Sequence, residues 1–429
     1  FAPWLRLQLL LVMPGVSLPA VAQTTVKARV VDAKTGETLE YASVYVNPQV
    51  GTLTNSEGDF LLQVADTATL RITYVGYKGR RVRASAVGEV VRLEPLSTSL
   101  GAVTVRGVKT LEYIKEVIDQ LQKGYSKGRR KTANYFYRTT FSNGICAELV
   151  ESFFRANSAI NLRNLTLLSG IVGWDVNEGG GRIGVFNTNV HRVMQLGART
   201  FESERWESCI KPFDKLSSTQ KYYTVESEVV GQEDDELVKL TFSEKGNVDL
   251  TGKGIVDGTA YISVRDKRLL RFDGDVRHQF MRSGLSRAPE RIHFSVTYDY
   301  SKGYAEQEIL SIEGGGMFEP NVLSKITELD YRTLLFRVDA DSLTHIKGTP
   351  MGTEMLSSIQ QAGYDRALWD KYDVIRRTEK EERIAFGVTP DESLEQQEAT
   401  PVPMQKAEIA NEKLQALIDY QERFARIIP

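Results

Sequence analysis

Apolar and polar residues alternate along several short segments between Thr25 and Leu93. Each segment places its apolar residues two positions apart, as residues 26–30 and 60–64 do, and glycine-containing turns separate the segments. An alternation of period two is typical of β-strands with one buried face. Several such strands within about 70 residues predict a small β-sandwich.

Strand-like segments return between Tyr222 and Val338, and turn residues separate them. This pattern predicts one larger antiparallel sheet. Aromatic-rich segments at residues 135–138 and 147–154 predict a further pair of strands. The predicted fold class is therefore mainly β (α+β), in which a sandwich is followed by a larger, curved antiparallel sheet with flanking helices.

Apolar residues at helical spacing predict the flanking helices. An amphipathic helix is expected over residues 110–123, with Thr110 as its N-cap. A short helix is expected around Ile359, followed by an aromatic clasp at residues 368–375. A last apolar stripe follows a linker rich in proline, glutamate and glutamine, and predicts a C-terminal helix over residues 407–428.

The N-terminal residues indicate the compartment. Residues 5–22 form an apolar run that contains Pro14 and Pro19 and ends in Ala20-Val21-Ala22. The small-x-small ending is the form that signal peptidase cleaves, whereas a membrane-spanning helix needs about 20 apolar residues without such interruptions. We therefore expect a signal peptide, an exported protein of the periplasm or the outer-membrane surface, and no transmembrane segment in the mature chain.

These patterns divide the chain into six expected segments. They are a signal peptide (1–22), a β-sandwich (23–106), an α/β connecting region (107–221), an antiparallel sheet domain (222–345), a helical clasp (346–388), and a linker with a C-terminal amphipathic helix (389–429).

Four motifs in the first β-rich segment resemble the carboxypeptidase-like regulatory domain. They occur in the family's order at residues 30–46, 51–60, 72–77 and 93–105. The resemblance implies a transthyretin-like sandwich of seven strands, common at the N-terminus of exported proteins of Bacteroidota. There it precedes transporters, enzymes and uncharacterised β-rich domains alike, so it indicates location more than activity.

A second resemblance concerns the larger sheet. Residues 258–263, Asp266 and residues 269–272 resemble paired strands of the half-barrel in periplasmic lipoprotein carriers. This resemblance implies an apolar concavity suited to an acyl chain. The clasp at residues 368–375 resembles the tail of uncharacterised Bacteroidota proteins that pair the regulatory module with a β-rich domain.

Charge and cysteine content exclude several classes of protein. The 54 Lys and Arg residues nearly balance 56 Asp and Glu residues, so the net charge of -2 gives no indication of nucleic-acid binding. Two cysteines exclude a disulfide-dense scaffold and a zinc site of four thiolates. A disulfide between Cys146 and Cys209 would close a loop of about 60 residues and stabilise the fold by roughly 4 kcal/mol. The alternative is two unrelated buried thiols.

The sequence yields no catalytic, cofactor-binding or metal-ligating residue. A zinc carboxypeptidase needs a His-x-x-Glu pair, and none of His191, His278, His293 and His345 has Glu at the third position after it. The glycine-rich residues 179–184 lack the helix start that a dinucleotide-binding fingerprint requires and predict a surface loop. We therefore predict a protein that is not an enzyme and needs no cofactor.

Two short sequences match the Asp-Ser/Thr-apolar pattern used for periplasmic O-glycosylation in Bacteroidota. They place the candidate acceptor hydroxyl groups at Thr67 and Ser342.

The function expected from the sequence is non-enzymatic binding or assembly at the cell envelope, with a lipid or glycan as the ligand. One alternative is an accessory subunit that docks on an outer-membrane transporter. The other is an enzyme with an unrecognised site, for which the irregular residues 157–215 would be the first candidates.

Overall fold

The structure of the 429-residue chain is a computed structural model. The described residues are 23–47, 50–97, 109–127, 132–156, 165–174, 209–231, 236–246, 250, 254–278, 280–283, 286–319, 327–338, 343, 346–351, 355–372 and 374–386. Within these ranges, no helix combines the length and the apolar character that a membrane crossing requires.

The predicted sandwich is confirmed within residues 23–97. Its strands are β1 (Gln23–Asp32), β2 (Ser43–Asn47), β3 (Val50–Leu53), β4 (Asp59–Ala65), β5 (Thr69–Thr73), β6 (Arg80–Arg83) and β7 (Val90–Leu93). They form one sheet in the order β4-β1-β7 and another in the order β3-β2-β5-β6. The alternating residues of both sheets, such as Val30, Phe60 and Ile72, meet in a core that excludes water.

The turn after β1 shows how the local sequence determines this fold. The Asp32 carboxylate accepts hydrogen bonds from the backbone amides of Lys34 and Thr35, at 2.6 and 3.0 Å. Gly36 then adopts a φ of +78°, which a residue without a β-carbon reaches at little cost.

The larger sheet has eleven strands among the described residues, in the order β11-β12-β13-β14-β17-β18-β19-β8-β9-β10-β20. Their bounds are β8 (Thr132–Ser142), β9 (Ile145–Ala156), β10 (Thr166–Trp174), β11 (Tyr223–Val230), β12 (Leu237–Glu244), β13 (Ile255–Ser263), β14 (Leu269–Arg277), β17 (Arg291–Asp299), β18 (Glu306–Met317), β19 (Glu328–Val338) and β20 (Thr349–Pro350). A separate hairpin consists of β15 (Phe280–Ser283) and β16 (Ser286–Pro289). All neighbouring strands of the larger sheet run antiparallel, as predicted.

The predicted boundary at residue 222 does not coincide with an edge of this sheet. β8 pairs with β19 along ten residue pairs, from Leu329–Ser142 to Val338–Ala133. The strands of the expected connecting region therefore belong to the same sheet as residues 223–338, since the pairing of β8 with β19 joins the two parts.

One face of the sheet, here called the inner face, packs against helix α1 (Thr110–Lys127) and helix α2 (Leu216–Tyr222) with the residues just before it. Helix α1 confirms the predicted amphipathic helix and continues four residues past its expected end. Thr110 is its first residue, and its hydroxyl group donates to the Ser227 hydroxyl at 3.2 Å. Helix α3 (Met355–Ala362), also predicted, covers the inner face at β10.

The opposite, outer face carries the sandwich and two short helices, α4 (Arg366–Lys371) and α5 (Glu379–Phe386). The expected aromatic clasp is present: the Trp369 ring lies 4.8 Å from the Phe153 ring on β9, centroid to centroid. The Trp369 indole also donates to the Ser169 hydroxyl at 2.8 Å. A parallel bridge between Leu53 and Ile375 joins the sandwich to this C-terminal segment.

The sequence left open whether Cys146 and Cys209 form a disulfide or are two unrelated buried thiols, and the structure has two free thiols. Cys146 and Cys209 are both buried, and no bond joins them. Cys146 lies near the start of β9, whereas Ile210, next to Cys209, bridges to Ile255 on β13. Five strands lie between β13 and β9 in the sheet, and a disulfide requires the two Cα atoms to be within about 7 Å.

Several sequence predictions lie outside the described residues. These are the signal peptide, the glycine-rich loop at 179–184, most of the irregular stretch 157–215, the linker and C-terminal helix at 389–429, and the glycosylation candidate Ser342. Thr67 is described and exposed in the turn between β4 and β5. Its glycosylation stays a prediction.

Candidate functional site

A cleft of about 840 Å³ opens where the sandwich, the end of the large sheet and the segment leading into α5 meet. The sandwich contributes the turn residues Ser56 and Glu57, and the C-terminal segment contributes Thr378, Lys380 and Glu381. The remaining wall comes from the ends of β14, β17, β18 and β19 and from the β15–β16 hairpin. Three segments distant in sequence therefore converge on one concave surface.

The wall of the cleft contains a row of ionisable residues that crosses four strands. Asp275, His293, Glu313 and Arg332 are direct neighbours in the strand register, so their side chains share the outer face. The residues beside them in each strand, such as Val276 and Ile292, face the apolar inner side. Charged and apolar residues alternate along these strands because the outer face lines the cleft and the inner face packs in the apolar core.

His293 and Asp275 form a hydrogen-bonded pair within this row, with 3.1 Å between Nδ1 and the carboxylate oxygen. The hydrogen bond lowers the pKa of Asp275 and raises the pKa of His293. Both side chains are about half exposed, at 47% and 49%, so a ligand in the cleft can reach them.

A second pair joins the two domains. Glu40, at the end of the turn after β1, shares a hydrogen bond with Glu313. Burial, followed by the bond to Glu313, raises the pKa of Glu40 to about 9. Burial works against the charge of Arg332, but the carboxyl groups of Glu40 and Glu313 together raise its pKa. At neutral pH Glu40 therefore keeps its proton, while Glu313 lies 3.7 Å from the Arg332 guanidinium.

Tyr41, next to this pair, has an unusual conformation. Its φ is +58°, in the left-handed region that bulky residues seldom occupy, and its side chain is only 7% exposed. Its hydroxyl group has no hydrogen-bond partner among the described residues. Backbone strain and unsatisfied buried polar atoms are concentrated at functional sites, so both observations favour a functional role for this junction.

The α5 side of the cleft is held by a capping arrangement. The Thr378-x-x-Glu381 sequence is a capping box, and the Glu381 carboxylate accepts from the Thr378 backbone amide at 2.7 Å. The same carboxylate accepts a hydrogen bond from the Tyr137 hydroxyl of β8. Burial raises the pKa of Glu381, which is 2% exposed.

The mouth of the cleft offers cations and aromatic rings. The Arg291 side chain is 64% exposed and donates to Asp330 at 2.8 Å, while Arg277 lies 3.5 Å from Asp257. The Phe280 residue is 48% exposed at the same mouth. The cleft therefore presents donors, acceptors and an apolar surface close together. No group of three or more side chains suited to a metal ion occurs within the described ranges.

Sequence reasoning placed none of these residues in a site. In the structure the imidazoles of His278 and His293 are paired with the carboxylates of Glu244 and Asp275. An overlooked signal was the alternation of charge along residues 271–277, where every second residue is Arg or Asp. Charges with the strand period indicate one crowded polar face, although not which strands lie beside it.

Comparisons with known proteins identify one part of the chain. Residues 26–105 match the family described as the CarboxypepD_reg-like domain, which confirms the resemblance of the sandwich. This is a non-catalytic, immunoglobulin-like domain. No curated protein matches the chain. Among solved structures, the chain is similar to the LolA superfamily protein NE2245 from Nitrosomonas europaea, with 7% identity and a TM-score of 0.22 over 54% of this chain and 93% of that one.

Proposed function

We propose that this chain is a non-enzymatic binding protein of the cell envelope that holds a glycan in the cleft between its sandwich and its large sheet. The observation that carries the proposal is the composition of the cleft wall. Carboxylates, guanidinium groups, two histidines and an exposed phenyl ring are the groups that bind hydroxyl-rich rings, because sugars present many hydrogen-bonding groups and weakly apolar faces.

The packing of the inner face favours a glycan over a lipid. An acyl chain needs an apolar hollow, and this face is occupied by the protein's own side chains. Ile114, Val117 and Leu121 of α1 and Phe213 are buried there against the sheet. Gly124 brings the end of α1 so close to the sheet that an added β-carbon would lie 2.6 Å from the Ala305 carbonyl oxygen.

The geometry of the carboxyl groups favours binding over hydrolysis. Glycosidases hold two carboxyl groups about 5–10 Å apart, with the scissile bond between them. Glu40 and Glu313 are hydrogen-bonded to each other, so no substrate bond fits between them. Among the described residues, no nucleophilic side chain is hydrogen-bonded to the half-exposed His293–Asp275 pair.

Export to the periplasm or outer membrane of a Bacteroidota cell is part of the same proposal. It is supported by the apolar residues 5–22 with their Ala20-Val21-Ala22 ending and by the sandwich, a module common in exported proteins of that group.

A binding experiment tests the function directly. The purified chain would be mixed with envelope oligosaccharides and examined by native mass spectrometry, which reports the bound mass even when the ligand is unidentified. We expect a bound oligosaccharide that is lost in the variant Asp275→Asn/Arg291→Gln, because both side chains line the cleft. The control Lys34→Gln alters an exposed residue of the sandwich and should retain the ligand.

The same spectra separate the other functions. A co-purifying lipid would favour the carrier, and a stoichiometric protein partner would favour the accessory subunit. A sugar that is shortened during incubation would favour the enzyme. Each of these outcomes contradicts the proposed glycan-binding role.

A further inference from the structure

We propose that the sandwich carries a second interaction surface, a basic face that docks on an anionic phospholipid membrane. This surface consists of Arg71, Lys78, Arg80, Arg81 and Arg83. The inference does not depend on the cleft, because none of these five residues contributes to the cleft wall.

The charge distribution along the sequence first indicates this face. Between Asp66 and Glu89 the chain contains these five basic residues and no acidic residue, although the whole chain is nearly neutral. All five are exposed in the structure. An exposed basic cluster of this kind is the electrostatic footprint of an anionic partner.

The strand register concentrates the charge further. Arg71 on β5 lies directly opposite Arg81 on the edge strand β6, and Arg83 lies opposite Thr69, the next outward-facing position of β5. Like charges in directly opposite positions destabilise a strand pair. The repulsion between these arginines therefore destabilises the sandwich, as expected of a surface that is maintained for binding.

Several other described arginines are paired with carboxylates, whereas those of the basic face are not. Arg29, on the other sheet of the sandwich, makes two hydrogen bonds of 2.8 and 2.9 Å with Asp59. No ion pair joins a side chain of the basic face to a carboxylate of the described residues. Arg80 instead donates a hydrogen bond to the backbone oxygen of Arg92, at 3.5 Å.

The shape and the chemistry of the face fit a lipid surface. Arg71, Arg81 and Arg83 lie on the outward side of a β-sheet, where Arg71 pairs across the strands with both Tyr45 and Arg81. Arg80 lies at the exposed edge of the same sheet, opposite Ile72, and Lys78 lies in the turn before it. Guanidinium groups bind phosphate oxygens through two parallel hydrogen bonds, and a tyrosine suits the boundary between headgroups and acyl chains. The sandwich contacts the large sheet through Tyr41, Leu53 and Tyr74, so this docking leaves the basic face open.

Vesicle co-sedimentation of the full chain tests the proposal. The probes are vesicles of pure phosphatidylcholine and vesicles that also contain phosphatidylglycerol, at about 50 and about 500 mM salt. We expect the chain to prefer the anionic vesicles at low salt and to lose this preference at high salt. Binding through the apolar residues 5–22, if they remain on the chain, would not depend on salt in this way.

The variant Arg71→Gln/Arg81→Gln should weaken binding to the anionic vesicles about 25-fold, since each basic residue near such a surface contributes about fivefold. The control Lys27→Gln/Lys34→Gln removes the same charge from exposed positions outside the basic face and should bind as the unmodified chain does. The first variant should melt at the same temperature or higher, because it relieves a repulsive pair. The proposal is overturned if the chain does not prefer anionic vesicles, or if both double variants lose the same affinity.

Discussion

The guanidinium group of Arg271 lies over the ring of Tyr74, with its central carbon 3.9 Å from the ring centroid. Arg271 belongs to β14 of the large sheet, whereas Tyr74 directly follows β5 of the sandwich, and the guanidinium also donates to the Tyr74 hydroxyl. Asp273 accepts from Arg271 Nε at 2.7 Å and balances its charge. The buried guanidinium of Arg271 thus joins the two domains. Its planar shape allows it to contact the Tyr74 ring and Asp273 at the same time.

Replacing this guanidinium should weaken the whole fold. We expect Arg271→Lys to lower the free energy of unfolding by about 2 kcal/mol, because an ammonium group cannot both stack on Tyr74 and reach Asp273. Urea unfolding followed by fluorescence would measure the change. The control Arg92→Lys alters an exposed arginine of the sandwich and should cost under about 0.5 kcal/mol. Equal effects in the two variants would contradict the role of Arg271.

The carboxyl pair at the domain junction predicts a pH dependence. The folded-state pKa of Glu40, about 9, lies above its ordinary value of 4.5, so the folded chain retains a proton that the unfolded chain releases between these values. Stability should therefore fall as the pH rises through this window. Glu40→Gln keeps a hydrogen-bonding group without the ionisation, and should exceed the unmodified chain in stability by at least ~1 kcal/mol at about pH 8.

The measurement is the urea midpoint at several pH values from acid to mildly alkaline. The difference between Glu40→Gln and the unmodified chain should grow with pH. The variant Glu37→Gln, at an exposed turn of the same domain, should run parallel to the unmodified chain. A Glu40→Gln curve that also runs parallel would show that Glu40 is not protonated at the junction.

A buried ion pair beneath α5 gives a third prediction. The Arg377 guanidinium donates two hydrogen bonds from Nε to the fully buried Glu151 carboxylate of β9, at 3.0 and 2.9 Å. Glu151→Gln would remove the closest acidic partner of the arginine and leave only Glu382, at 3.5 Å, to balance its charge, and should cost about 3 kcal/mol of unfolding free energy. The exposed Glu379 of α5 is the matched control, and Glu379→Gln should cost no more than about 0.5 kcal/mol.

The cysteines can be tested by alkylation in the absence of a reducing agent. We expect two labels on the unfolded chain by mass spectrometry, since no disulfide joins Cys146 to Cys209. In the folded chain, burial raises the pKa of Cys209 to about 11, so little reactive thiolate is present at neutral pH and labelling should be slow. A denatured chain that takes up labels only after reduction would instead show that a disulfide joins the two cysteines.

The sequence predicted elements well where one face of a strand is buried and the other exposed. Residues 258–263 show this alternation, because Ala260 and Ile262 are buried whereas their neighbours are partly exposed, and they lie within β13. β9 is different because both of its faces are covered. Glu148, Glu151 and Ser152 are all fully buried within it, so polarity no longer indicates exposure. A local pattern could predict a strand there but not its neighbours.

The candidate site was harder to predict for a related reason. Asp275, His293, Glu313 and Arg332 come from four strands and become neighbours only through the register. Glu40 joins them from another domain, across more than 200 residues of sequence. Each residue alone is an ordinary polar position of a strand or turn. The information that makes them a site lies in the strand pairing, which a single sequence does not reveal.

The pairing of β8 with β19 also has a consequence during synthesis. The ribosome releases β19 about 200 residues after β8, a delay of roughly 10–40 s at ordinary translation rates. The sandwich can complete its own strand pairs early. Until β19 emerges, however, β8 has an unpaired edge that can pair with another chain and cause aggregation. We therefore expect the nascent chain to require a chaperone that shields residues 132–174 until the distant strand emerges.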